Sequence, residues 1–315
     1  MEANKTYIPT LNFLRAFASL SVCIVHLHYM VGLEKYPIGK LLVQGQGGVA
    51  VFFVISGFVI PYSLWNYNYT LKNFFQYLWR RAVRIDPPYL VIILVSILLL
   101  GQFEPIRFVF HLLYIIPFSG YDWYQSIFWT LGIEFQFYIL IGLCFPLLKT
   151  GNIYLVIAII LLLSGTGYFI TRSHDFIFHS IHYFGYGILV LLIKKERILL
   201  KIGHLLLLAL TVFLCLKISI ITGLIGYVAA LAIIHLSFEN ALSNFLGRIS
   251  YSLYLTHTLT GGLLLALFKP LFPNIYSLFL ALLLCCITVA FVYYLCIEKT
   301  ALRWSKSIKL NLVEK

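Results

Sequence analysis

Apolar residues run in long blocks broken by short polar or basic connections, and the blocks are far longer than buried strands of a soluble protein require. Ten of them recur along the chain, at 12–31, 47–65, 84–101, 126–148, 153–171, 176–193, 202–217, 219–237, 248–268 and 275–296. At 1.5 Å per helical residue, such blocks approach the ~30 Å of a bilayer's hydrocarbon core. The pattern predicts an all-α polytopic membrane protein, a bundle of about ten transmembrane helices forming a single domain over residues 1–315. The seventh block is short and is divided from the eighth by little more than Lys217, so the two read either as separate spans or as one re-entrant hairpin. Residues 66–83 mix aromatic and basic side chains as an interfacial helix does, and Pro87-Pro88 is expected to stop that helix before the next span. Residues 106–118 are apolar but too short to cross, which suits the opposite interface or a re-entrant loop.

Composition supports this reading: 61% of the 315 residues are apolar and only 11% are charged, against about 45–50% and 25% in soluble domains. The net charge of +12 would suggest nucleic acid in a soluble chain. Here the 23 Lys and Arg fall mostly in the connections and set orientation instead, so no nucleic-acid partner is expected. In a ten-helix scheme seventeen of them lie on the side that holds both termini, which predicts both termini in the cytoplasm. The first apolar run is long enough to remain as an anchor, so no cleavable signal is expected. The six cysteines lie in apolar runs without ligand spacing, and read as small buried hydrophobes, with no metal site expected.

Ionisable groups inside spans are costly, which makes each a functional suspect. Arg15 and His26 are eleven residues apart and return to nearly the same helix face, some 16 Å apart along the axis. Glu134, with Thr130 and Tyr138 one turn to either side, puts a carboxylate at a depth comparable with His26, where the pair would suit a general base; a purely structural His–Glu contact is the other reading. Arg80, Arg81 and Arg84 at a bilayer entrance suit a multiply phosphorylated ligand, or ordinary anchoring to anionic lipid. Asp86 could neutralise one of them. Gly45, Gly47 and Gly48 open the second span, permitting either close helix packing or an unwound segment. His257 follows Ser250, Ser252, Tyr254 and Thr256 in one span, and is a second candidate within the bundle. His28, His111, His174, His179, His182, His204 and His235 show no ligand spacing.

Several blocks together carry a resemblance. LNFLRAFASLSVCIVHLHY with its R-x10-H spacing, GGVAVFFVISGFVI, FFQYLWRRAVRIDPPYL, WTLGIEFQFYIL and ISYSLYLTHTLT stand in an order that resembles the membrane-bound acyltransferase-3 family over essentially the whole chain. Bacterial members O-acetylate lipopolysaccharide, exopolysaccharide and other envelope sugars. The final block departs from the expected pattern, with Lys299 and Thr300 in IEKTALRW where a proline is expected. The resemblance implies a bacterial inner-membrane O-acyltransferase that takes an acyl group, usually acetyl, from cytoplasmic acetyl-coenzyme A and passes it to a glycan or lipid-linked sugar acceptor. It implies His26 as general base or acyl carrier, and Arg15, Arg80, Arg81 and Arg84 as donor-binding residues. Glu134 matches a characteristic acidic position and is expected either to orient His26 or to contact the acceptor; Tyr138 and His257 are expected to contact substrate. A proton-coupled transporter or flippase of an envelope precursor is the rival, since intramembrane Arg, His and Glu also suit a carrier.

Overall fold

The computed structural model describes residues 8–67, 69–101, 103–170 and 173–308, and among them it is helical with no strand. The principal helices are α1 Thr10–Val31, α2 Gly47–Asn66, α3 Phe74–Leu100, α4 Pro105–Leu112, α5 Trp129–Thr150, α6 Ile153–Ile170 and α7 Ile177–Lys194. They continue as α8 Leu200–Lys217, α9 Ile220–His235, α10 Ala241–Arg248, α11 Ser250–Phe268, α12 Ile275–Tyr293 and α13 Lys299–Ser307. Among the described residues, eight helical stretches are long and apolar enough to cross a membrane. The two remaining predicted segments form shorter apolar helices, Ile153–Gly167 and Ile220–His235. Of the basic residues used for orientation, Lys5, Arg172, Lys309 and Lys315 lie outside the described residues.

Every predicted block falls on a helix because apolar length alone decides whether a segment can satisfy its backbone in hydrocarbon. The bundle's outside is apolar, with Leu98, Leu216 and Leu267 among its exposed side chains. The largest core cluster sits where α2, α5 and α7 meet around Phe58, Phe137 and Phe184. The α2–α7 crossing is close: a Cβ on Gly57 would lie 2.3 Å from the carbonyl oxygen of Phe184. The glycine cluster resolves as packing, since Cβ atoms on Gly45 and Gly48 would each fall 2.5 Å from carbonyl oxygens of α1. Those glycines let α2 and its leading turn lie against α1.

Two expectations change. No interfacial helix is stopped at Pro87-Pro88: α3 runs unbroken for 27 residues with both prolines inside it. Each proline withholds an N–H from the carbonyl four residues earlier. Hydroxyls from distant helices bond to neighbouring carbonyls of the same stretch, with Tyr251 donating to that of Ile85 at 2.9 Å and Tyr293 donating to that of Pro88. The cysteines are not uniformly buried either. Cys23 and Cys286 are, whereas Cys144 and Cys296 are exposed on the helix exterior, where a thiol is tolerated as a small apolar group.

The 106–118 connection folds as α4 followed by a turn at Ile116–Phe118. His111 ties it down: its Nδ1–H donates to the Arg107 carbonyl at 2.9 Å, and its Nε2 accepts from the Tyr124 amide at 3.0 Å. Burial, with a push from the Arg107 cation, lowers His111 to about 4, against the opposing pull of its bond to the Arg107 carbonyl. The unfolded chain therefore binds more protons between about 6.5 and 4, and folding stability falls as pH drops through that window. The loss is expected to reach roughly 2–3 kcal/mol at pH 4. Amide-exchange protection at Tyr124 checks it: protection that stays constant from pH 7 to pH 4 contradicts the assignment.

Candidate active site

Seven elements enclose a cavity of about 260 Å³ between α1, α2, α3, α5, α10, α11 and the chain segment that follows α12. Arg15 enters from α1, Arg81 and Arg84 from α3, and Glu134 and Tyr138 from α5. The site thus unites five of the eight side chains singled out in the sequence. Arg81 and Arg84 are three apart, and the continuous helix turns both inward.

Arg80 points elsewhere. Its guanidinium lies 4.7 Å from the centre of the Tyr67 ring and donates to the Tyr67 hydroxyl at 3.1 Å, outside the cavity lining. Asp86 is bound to the Tyr114 hydroxyl at 2.8 Å rather than neutralising an arginine. Arg81 is buried, with Tyr77 and Tyr138 each 5.7 Å from its guanidinium carbon.

The carboxylates facing these cations are engaged by hydroxyls. One Glu134 oxygen accepts from Tyr138 at 2.6 Å and from Ser56 at 3.1 Å. The second carboxylate, Glu298, is one that the sequence does not mark, because the last apolar run ends at 296 and Glu298 reads as belonging to the connection beyond it. A π-helical turn, Tyr294–Glu298, carries it inward. There its Oε2 accepts from the Ser252 hydroxyl at 2.5 Å and the Ser252 amide at 3.2 Å. Such turns mark functional sites often. An acid two residues past an apolar run, in a chain with few acids, is the signal that would have found it.

Arg15 interacts electrostatically with both Arg84 and Arg81 and with both Glu134 and Glu298. Among the described residues no guanidinium of the cavity closes an ion pair within 4 Å; the pairs are Arg107–Glu104 and His174–Asp175, both elsewhere. Four guanidiniums, that of Arg248 included, line the cavity with two carboxylates, each of which has one oxygen engaged by hydroxyl donors, and the surplus of positive charge suits an anionic ligand. Arg offers a planar fork that matches phosphate oxygens bidentately.

His26 lies outside the cavity lining and forms no ion pair with Glu134. Its neighbour is His257, with ring centres 5.1 Å apart. The two regions connect through Tyr254, which lines the cavity, bonds to Thr130 at 2.7 Å, and has its ring centre 5.9 Å from that of His257. The α1 stripe therefore carries a cation into the cavity and an imidazole roughly 16 Å further along.

A family model described as an acyltransferase domain, of the acyltransferase-3 type, matches residues 8–297. A protein of Acidianus two-tailed virus named "Putative acetyltransferase ORF330" is 28% identical over 293 residues, covering 82% of this chain and 85% of its own length. No solved structure matches the chain.

Proposed function

We propose that this chain, which belongs to the acyltransferase-3 family, moves an acyl group, acetyl in the first instance, from cytoplasmic acyl-coenzyme A to a hydroxyl of an envelope sugar. The observation that carries the reading is the cavity in which Arg15, Arg81 and Arg84 face Glu134 and Glu298 without ion-pairing to them. Phosphates of the donor suit these guanidiniums, and its pantetheine arm would extend from them along the cavity wall that Tyr254 lines. Orientation by the positive-inside rule puts the arginine-rich side in the cytoplasm, where the donor is made.

His26 is half-buried and makes no hydrogen bond among the described residues, so its ring is available to a substrate hydroxyl. Acting as general base, it takes the hydroxyl proton as the new C–O bond forms. The thioester C–S bond then breaks, and the same nitrogen returns the proton to the departing sulfur. Glu134, held by Tyr138 and Ser56, balances the arginine cluster rather than orienting His26.

Membranes containing the protein, supplied with acetyl-coenzyme A labelled in the acetyl group, test this directly. Label is expected in the glycan fraction at a rate unaffected by an uncoupler. Glycan movement that requires the proton gradient and incorporates no acetyl label would instead identify a carrier.

A further inference from the structure

His257 is fully buried on α11. Its Nδ1 lies 3.0 Å from the Leu253 carbonyl oxygen and 2.8 Å from that of Tyr254. Carbonyl oxygens only accept, so Nδ1 carries the proton and Nε2 keeps its lone pair. That buried Nε2 has no hydrogen-bond partner among the described residues. An acceptor left so is costly, and such an exception calls for a use.

The ring facing it is His26, at a centre-to-centre distance of 5.1 Å. The molecule itself calibrates that spacing: His204 and His235 have ring centres 5.0 Å apart and an Nε2–Nε2 hydrogen bond of 2.8 Å. The His26–His257 separation is therefore that of two imidazoles in hydrogen-bonding reach, with His26 free to turn about its side-chain torsions. Neither Glu134 nor Glu298 competes for the place, since each is held by serine or tyrosine donors elsewhere. The Cys286 thiol, 3.7 Å from the His257 carbonyl, braces the same turn of helix.

We propose that His257 is the positioning residue of the acyl transfer: its Nε2 accepts an N–H of His26 and so fixes the His26 tautomer that presents a lone pair to the acceptor hydroxyl. The assignment rests on His26 being the base. When His26 takes the hydroxyl proton, the N–H opposite stays donated to His257, which steadies the imidazolium without itself gaining a proton. The proton then leaves from the nitrogen that received it, for the thiolate sulfur.

Three variants test this with the label-transfer assay. His257→Leu removes the acceptor. His257→Gln offers an amide oxygen near the Nε2 position, whereas the shorter His257→Asn reaches only the Nδ1 position. His257→Leu and His257→Asn are expected to lower kcat at least about tenfold with donor KM within about twofold, and His257→Gln to recover a large part of kcat. A His257→Leu enzyme with undiminished kcat overturns the proposal. So does a folded His257→Gln enzyme as slow as His257→Asn, which would make the residue a packing element. If His257→Leu does not fold, the Gln and Asn pair decides. Activity surviving in His26→Ala would instead remove the base on which the assignment rests, a failure separately visible in that variant.

Discussion

His26→Ala membranes are expected to transfer labelled acetyl groups at least about 10²-fold more slowly than wild type at matched expression. The size follows from the loss of a positioned base, which contributes roughly 10²–10⁴-fold in such reactions. Donor affinity is expected to change little, because His26 lies outside the cavity that holds the arginines. The loss therefore falls on kcat, with KM for acetyl-coenzyme A within about twofold. Retained kcat would remove His26 from the chemistry. The same assay separates base from acyl carrier. Label that stays on denatured wild-type protein and is absent from His26→Ala identifies an acyl-imidazole, whereas label found only in glycan supports the base.

Arg84→Gln is expected to act in the opposite way, raising donor KM by about 10–100-fold while leaving kcat nearly intact. A charge-assisted hydrogen bond is worth about 1.5–3 kcal/mol, and each 1.4 kcal/mol is a factor of ten. Arg84→Lys is expected to restore only part of this, because an ammonium lacks the planar fork. Arg80→Gln supplies the control: its guanidinium is stacked on Tyr67 outside the cavity, so donor KM is expected to move by less than about twofold. Equal effects at positions 80 and 84 would mean that the cluster acts through general charge at the membrane surface, and the donor site would have to be sought elsewhere.

The helices were legible because a span's apolar length is a local property. What the sequence hid depends on contacts between segments far apart in it. Pro87-Pro88 reads as a stop, and α3 passes through it where hydroxyls of Tyr251 and Tyr293, more than 160 positions away, bond to its backbone. Once that helix is continuous, its rotation selects Arg81 and Arg84 for the cavity and turns Arg80 out, a distinction that spacing alone cannot make. Position along their helices puts Glu134 and His26 at one level, yet pairing also depends on how α1 and α5 are rotated. The α5 carboxylate meets Tyr138 and Ser56, and α1 presents His26 to α11. Glu298 escaped because the π turn displaces it by a fraction of a helical turn that no hydropathy window registers.

The length of α3 has a consequence for the surrounding lipid. Its 27 residues measure about 40 Å, against a hydrocarbon slab of roughly 30 Å. A rod that exceeds the slab must lean or let one end stand proud, and a thicker or thinner bilayer changes the balance at a cost of fractions of a kcal/mol per Å. Arg81 and Arg84 ride on its first three turns. Acyl-chain length in the host membrane therefore acts as a tuning screw on how deeply the guanidiniums sit below the headgroups, linking lipid composition to the proposed donor site through hydrophobic mismatch alone.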